Sequence, residues 1–166
     1  MPRTALKEGP AGPERFLRRA IELAVENVRN GRGGPFGAVI VHQGRVVAEG
    51  VNLVTSNLDP TAHAEITAIR RACAALGRFH LTGCEIYSSC EPCPMCLGAI
   101  YWARLDRIWY AATRADAAAA GFQDDQLYRE ISAPVSLRSI PTAQLLREEA
   151  LPAFEAWKSS ATRIDY

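Results

Sequence analysis

The sequence predicts an α/β fold, a layered domain in which helices pack against a sheet. Predicted strands alternate with amphipathic helices along the chain, which is typical of this class. The 166 residues suit one domain, and 48% of them are apolar, which is enough to fill a core without disulfides. The sequence shows no internal repeat and no linker that would divide the chain.

Each predicted strand is a short apolar run bounded by turn residues. The first two are expected to pair as a hairpin around Gln43-Gly44. The five predicted strands are 36–41, 45–51, 85–88, 107–111 and 135–140.

Each predicted helix has apolar residues at helical spacing or a sequence signal for its start or end. Thr61 is expected to cap the second helix and Gly77 to end it, and Pro94 suits the first position of the third. The predicted helices are 14–29, 61–76, 94–102, 115–120, 124–131 and 151–160, with a further helical turn at 143–147.

Composition and charge exclude several classes of protein. The net charge is +1 and the pI about 7.7, whereas a nucleic-acid-binding domain is expected to be strongly basic. The odd number of five cysteines does not fit a secreted disulfide framework, and the sequence shows no signal peptide or membrane span. We therefore expect a cytoplasmic protein without a nucleic-acid or membrane partner, a flexible tail over 1–13 and one domain over 14–166.

Two short motifs offer the ligands of a metal site. His63-Ala64-Glu65 supplies an imidazole and a carboxylate, and Pro92-Cys93-Pro94-Met95-Cys96 supplies two thiols three positions apart. One imidazole and two thiolates give a tetrahedral Zn²⁺ three protein ligands and leave its fourth position open for water. We therefore predict His63, Cys93 and Cys96 as the ligands of a catalytic zinc ion.

Cys90 provides an alternative pair, because Cys90 and Cys93 also have the C-x-x-C spacing. Pro94 places Cys93 and Cys96 on a helical turn, where residues three apart share a face, so this pair is preferred. Cys90 is interpreted as a buried small residue at the end of a strand.

Both motifs fall at predicted helix starts, where free backbone N–H groups and the helix dipole favour thiolates over thiols. Zinc lowers the pKa of its bound water from about 15.7 to about 7. Glu65 is not needed as a ligand and is predicted to carry protons between that water and the substrate. General acid–base help of this kind contributes about 10²- to 10⁴-fold in rate.

A binding module with structural zinc is the alternative outside enzymes. A single C-x-x-C is half of a structural zinc site and usually requires a separate second pair or an H-x-x-x-H, and the sequence contains neither. His63 or Glu65 alone would be unremarkable at a helix start. Their occurrence together with P-C-x-x-C favours the catalytic interpretation.

The chain resembles the cytidine-deaminase-like superfamily from about residue 14 onward, in segments 33–38, 59–65 and 89–96. The H-x-E…P-C-x-x-C pattern is the signature of its zinc-dependent base deaminases. Within the superfamily the chain is most similar to the short, zinc-dependent guanine deaminases of bacteria, in segments 96–104, 119–124 and 165–166.

That resemblance implies a three-layer α/β/α sandwich with a mixed five-stranded sheet, one zinc ion per subunit and a homodimer. In such guanine deaminases the C-terminal segment can be exchanged between subunits, so that its last residues close the partner's active site. The sequence does not tell which subunit supplies this segment.

The resemblance also implies which residues bind a purine. Phe36 and His63 would stack on the ring, Asn52 would hydrogen-bond its edge, and the Ala64 backbone N–H would bind an acceptor atom. Trp102, on the family-like helix, is a further candidate for contact with the base, although a tryptophan there is more often a core residue.

Two residues further along the chain complete the implied site. Asp124 would assist the departing amino group, and Tyr166 would cover the pocket. The family often has an acidic residue directly after the position of Phe122, where this chain has Gln123. Asp124 and Asp125 therefore stay open as alternatives for the inward-facing carboxylate.

The expected reaction is that of guanine with water to give xanthine and ammonia. A tRNA adenosine deaminase shares both motifs, but it needs basic residues near its C-terminus, and the segment 151–166 is neutral. Deamination of cytosine, of a guanosine-type nucleoside or of an aminotriazine such as ammeline is the other alternative.

Overall fold

A four-stranded mixed sheet organises the first part of the protein in a computed structural model that describes residues 12–166. The strands are β1 Gly37–His42, β2 Arg45–Val51, β3 Cys84–Cys90 and β4 Arg107–Ala112. Their order is β2-β1-β3-β4, with β1 antiparallel to both neighbours and β4 parallel to β3. The predicted α/β class with a mixed sheet is confirmed.

The helices begin and end within three residues of the predicted positions, except that the short second helix is not predicted and the last helix begins four residues earlier than expected. In the described residues they are α1 Glu14–Arg29, α2 Val54–Asn57, α3 Ala64–Leu76, α4 Pro94–Trp102, α5 Arg114–Ala119, α6 Asp124–Ser132 and α7 Arg147–Ser159. Gly77 ends α3 in the left-handed conformation with φ of 63°, as expected for a glycine at this position.

Helices cover both faces of the sheet. Ala38 and Ile40 of β1 belong to an apolar cluster with α3 and α4, and their neighbours Val39 and Val41 belong to a second cluster with α1. This division follows from the alternation of side chains along a strand. The result is three layers, with α1 on one face and α3 and α4 on the other.

Two glycines allow the helices to lie against the strands. A Cβ atom at Gly37 would come within 2.3 Å of the Ala20 carbonyl oxygen of α1. A Cβ at Gly50 of β2 would come within 2.2 Å of the Ala64 carbonyl oxygen and 2.5 Å of the Ala68 nitrogen. The first turn of α3 therefore rests directly on the backbone of β2.

The described chain divides into two units, one ending at Asp124 and one spanning Asp125–Tyr166. Every buried residue belongs to the first unit, and none between 125 and 166 is buried. Large apolar side chains such as Leu145, Leu137 and Phe154 are exposed in the second unit. The one-domain organisation of 14–166 stays a prediction.

The predicted fifth strand at 135–140 is wrong. Val135–Leu137 forms one 3-10 turn, and the alternating apolar residues of this segment remain exposed instead of packing on a sheet. The predicted helical turn at 143–147 is also wrong, since α7 begins only at Arg147.

The expected cap of α3 is a second local correction. The helix begins at Ala64, and His63 is its N-cap residue. The Thr61 hydroxyl donates to Asp59 Oδ1 at 2.7 Å, so Thr61 belongs to the turn before the helix.

No helix among residues 12–166 is both long and apolar enough to cross a membrane. The predicted flexible tail lies outside the described residues except for Gly12 and Pro13.

Candidate active site

The three predicted zinc ligands lie together in the first unit. The ligand atoms of His63, Cys93 and Cys96 are all within 4.8 Å of one another, and both cysteines are buried. The Nδ1 atom of His63 is 3.6 Å from Cys93 Sγ and 3.5 Å from Cys96 Sγ. Among the described residues this is the group of imidazole, thiol and carboxylate side chains that could hold a metal ion.

The spacing of these atoms fits zinc. With zinc–sulfur bonds of about 2.3 Å and zinc–nitrogen bonds of about 2.0–2.1 Å, a tetrahedral arrangement separates nitrogen from sulfur by about 3.5 Å. Both nitrogen–sulfur distances in the structure lie within 0.1 Å of that value. The donor set therefore matches a tetrahedral zinc site in chemistry and in geometry, with three protein ligands.

Two helix starts position the ligands. His63 is the N-cap residue of α3, and Cys93 is the N-cap residue of α4, with Pro94 at its first position and Cys96 in its first turn. Both N-cap residues have extended backbones, as is usual at this position. The ligands thus meet where the positive ends of two helix dipoles favour negative charge.

The thiols carry opposite pKa shifts because they are close neighbours. Hydrogen bonding from the Cys96 thiol, aided by His63, lowers the pKa of Cys93 to about 4 against the opposing effect of burial. The Cys93 sulfur, burial and the carboxylate of Glu65 all raise the pKa of Cys96. A divalent cation would remove this conflict by neutralising two thiolates at once.

Glu65 lies in the first turn of α3 and is 5% exposed. The Ser88 hydroxyl of β3 donates to its Oε1 at 3.1 Å, and Cys96 Sγ lies 3.4 Å from its Oε2. Burial raises the pKa of Glu65 above that of an ordinary carboxyl group. A buried carboxyl with a raised pKa beside a metal site suits the transfer of protons.

A cavity of about 590 Å³ opens next to the ligand cluster. Its volume is in the range of small-molecule sites. His63, Glu65 and Cys93 line it on one side. Phe36 and Phe122 also line it, and their rings pack edge to face with centroids 4.8 Å apart. The aromatic rings provide the flat apolar surface that a heterocyclic base requires.

Asn52, also on the cavity, is buried at the end of β2. Its Oδ1 accepts hydrogen bonds from the backbone N–H groups of Gly34 and Val54, each at 3.3 Å. With the oxygen engaged in this way, the Nδ2 group is the donor that Asn52 can offer to a ligand.

Asn27 of α1 holds the backbone around Asn52. Its Nδ2 donates to the carbonyl oxygens of Gly34 at 2.9 Å and of Asn52 at 2.8 Å. A Cβ at Gly33 would come within 2.3 Å of the Asn52 carbonyl oxygen, so the glycine-rich loop passes against this residue. One buried amide therefore joins the helix, the loop and the strand end that border the cavity.

The remaining predicted site residues have different locations. Asp124 lines the cavity. The pKa of His63 is raised mainly by its hydrogen bond with Cys93, and the charge of Asp124 makes a smaller contribution in the same direction. Ala64 is buried at the first position of α3, where backbone N–H groups have no partner within a helix. Trp102 is exposed at the end of α4 and is not among the residues that line the cavity. Tyr166 packs its ring edge-on against Trp157 in the second unit.

Sequence reasoning missed four residues around the site: Asn27, Ser88, Glu91 and Phe122. Glu91 lines the cavity and accepts the backbone N–H of Arg114 at 3.0 Å. Phe122 lies within a family-like segment, which is a usable signal. Ser88 has a second serine beside it in the same strand, and Asn27 is one of several polar residues on its helix, so neither residue is singled out by the sequence.

Comparisons with known proteins agree with this geometry. The family model of the cytidine and deoxycytidylate deaminase zinc-binding region matches residues 11–112, a span that contains the three ligands and Glu65. Guanine deaminase from Bacillus subtilis (strain 168) is 56% identical over 153 residues, which cover 92% of this chain and 98% of that protein.

Solved structures show the same relationship. An X-ray structure of guanine deaminase from Bacillus subtilis superposes with a TM-score of 0.92 and 54% identity, and covers 94% of this chain and 99% of that one. Guanine deaminase from Nitrosomonas europaea gives a TM-score of 0.66 and 35% identity over 69% of this chain and 66% of its own.

The tRNA-specific deaminases match a smaller part of the chain. The enzyme from Aquifex aeolicus is 40% identical over 101 residues, which cover 61% of this chain and 66% of that protein. The fold is therefore the expected cytidine-deaminase-like one, with four strands in place of five. From its motifs, its site and these relatives, the chain belongs to the cytidine and deoxycytidylate deaminase zinc-binding family and, within it, to the guanine deaminases.

Proposed function

We propose that this chain hydrolyses guanine to xanthine and ammonia, a step of purine catabolism, with one zinc ion per subunit. The observation that carries the proposal is the buried carboxyl of Glu65 beside three zinc-type ligands in a cavity. Near-full-length similarity to a guanine deaminase favours guanine over the other bases.

His63, Cys93 and Cys96 would hold the zinc ion. When bound, zinc supplies Lewis acidity that lowers the pKa of water to about 7 and so makes a nucleophile available at neutral pH. Glu65 takes the proton from the attacking water and gives it to N3 of guanine as the oxygen bonds to C2. Glu65 then takes the remaining proton from the oxygen on C2 and transfers it to the exocyclic amino group, which leaves as ammonia while that oxygen becomes the C2 carbonyl and N3 keeps its proton.

The cavity residues would orient the base. Phe36 and His63 contact the two faces of the ring, and the Nδ2 group of Asn52 donates to an acceptor on its edge. The Ala64 backbone N–H, at the start of α3, donates to a ring or carbonyl acceptor. Asp124 on the cavity wall accepts hydrogen bonds from the departing amino group.

We further propose a cytoplasmic homodimer whose C-terminal segment closes an active site, with Tyr166 as its cover and Trp102 as a contact near the base. The absence of buried residues from 125 to 166 supports this assembly, since exposed apolar side chains in this segment need a partner surface. The five cysteines are free, as expected in a reducing compartment.

Ammonia release tests the proposal. The zinc-loaded protein is offered guanine, guanosine, adenine, cytosine, ammeline and an adenosine-containing tRNA stem-loop, and we expect turnover of guanine above all others. Preferred release from the stem-loop would assign the chain to the tRNA deaminases. A zinc-loaded protein that releases ammonia from none of them would support a binding module instead.

A further inference from the structure

The position of Ser88 in β3 is unusual for a polar residue. Ser88 is 1% exposed, and Ile86 on the same face of the strand is fully buried in the apolar cluster beneath α3. β3 is an inner strand, with Ser88 paired to Ala38 of β1 on one side and to Tyr110 of β4 on the other. A hydroxyl in such surroundings destabilises the fold unless it has a hydrogen-bond partner.

The partner of this hydroxyl is Glu65. The Ser88 hydroxyl donates to Glu65 Oε1 at 3.1 Å. The position of the carboxyl group is therefore fixed by a contact to β3 as well as by its own helix α3. The other oxygen, Oε2, lies 3.4 Å from Cys96 Sγ. The two carboxyl oxygens of Glu65 therefore have different neighbours.

This difference becomes larger when a metal is bound. A cysteine that ligates zinc carries no proton and cannot donate to Oε2. Ser88 then remains as the side chain that donates to the carboxyl group of Glu65. Its hydroxyl occupies Oε1 and leaves Oε2, on the side of the ligand cluster, to exchange protons.

We propose that Ser88 is a positioning residue for the deamination, because its hydroxyl holds Oε1 of Glu65 so that Oε2 faces the reacting water. This inference rests on the proposed function of Glu65. Ser88 is not one of the three proposed zinc ligands, and it is not among the residues that line the cavity. Its loss should therefore slow the chemical step without weakening the binding of guanine or of zinc.

Ser88→Ala is the central test. We expect kcat for guanine to fall about tenfold, a part of the 10²- to 10⁴-fold that a general acid–base residue contributes, while KM changes less than about threefold. Zinc content and the dissociation constant for xanthine, measured by calorimetry, should equal those of the parent protein. Unchanged kcat, or a fall in kcat that follows loss of zinc, would overturn the proposal.

Ser89→Ala is the matched control, because Ser89 is also buried in β3 but its hydroxyl accepts the backbone N–H of Gly37 at 3.0 Å. Both variants remove one buried hydroxyl, so a merely structural role would lower kcat to the same extent in each. We expect the larger fall for Ser88→Ala. An equal fall in kcat would contradict a special role for Ser88.

Ser88→Thr and Ser88→Cys make the test independent of the alanine variant. Threonine keeps the hydroxyl and should restore kcat above the alanine level, whereas cysteine, a weaker donor of similar size, should give an intermediate value. A zinc-loaded threonine variant as slow as alanine would overturn the proposal. Failure of the parent protein to release ammonia from guanine would instead refute the proposed function.

Discussion

At the scale of single residues, Glu65 has the environment of a proton carrier. It is buried, its pKa is raised by burial, and its carboxyl group has contacts to Ser88 and Cys96 that fix its direction. A surface carboxylate would be ionised and mobile. Proton transfer to a weakly basic leaving group requires a group that can both accept and donate a proton close to neutral pH.

The variant Glu65→Gln should abolish turnover of guanine, with kcat lowered at least about 10²-fold, because an amide cannot carry the proton. Zinc content should be unchanged, since Glu65 is not among the proposed ligands. Steady-state ammonia release and metal analysis measure the two quantities. Activity close to that of the parent protein would remove Glu65 from the mechanism.

The motif residues could be predicted because their chemistry restricts their spacing. His63, Cys93 and Cys96 form a recognisable ligand set, and the structure brings their side chains together. Ser88 and Asn27 could not be assigned in the same way, because each acts through one hydrogen-bond partner that is distant in sequence. Only the sheet register and the helix packing bring such partners within reach.

At the scale of elements, the contact between β2 and α3 determines where His63 and Glu65 lie. Gly50 lets the first turn of α3 rest on the strand backbone, and this turn carries Glu65 two positions after the N-cap His63. The elements themselves were mostly predictable from apolar spacing. The apolar residues of segment 135–140 have strand-like spacing, which explains the wrong prediction, but Val135–Leu137 forms a 3-10 turn and these side chains are exposed.

Gly50→Ala should destabilise the fold by about 1–3 kcal/mol, because the added methyl group would collide with backbone atoms of Ala64 and Ala68. The resulting shift of α3 should also weaken zinc binding. Urea unfolding and a competition assay with a chromogenic chelator measure these effects.

Gly98→Ala is the control for this substitution. Gly98 lies within α4, and no heavy atom lies within 4 Å of its added Cβ. Alanine is the better helix former, so this variant should be as stable as the parent or up to about 1 kcal/mol more stable. Equal destabilisation of both variants would show that close packing at Gly50 is not the cause.

At the scale of the whole molecule, removal of the last two residues should affect activity much more than stability. Tyr166 and Asp165 are exposed, so their removal should change the melting temperature little. If the last residues cover an active site, deletion of Asp165 and Tyr166 should lower kcat/KM for guanine at least about tenfold, through poorer exclusion of water.

Tyr166→Phe distinguishes the contribution of the Tyr166 ring to activity from that of its hydroxyl group. It retains the ring that packs against Trp157 and should keep more activity than the deletion. Sedimentation of the parent protein tests the proposed homodimer directly. A truncated protein with full activity would show that the C-terminus has no role as a cover.

The origin of the ligands in two distant segments has a consequence for biosynthesis. His63 and Cys93 are 30 positions apart and meet only when α3 and α4 have both docked on the sheet. A nascent chain that has emerged from the ribosome only as far as α3 contains His63 but neither Cys93 nor Cys96, so it offers one of the three proposed ligands. Metal binding should therefore follow the late stage of folding in which these two helix starts come together. The bound metal should then stabilise the folded state, because it holds the two segments to each other.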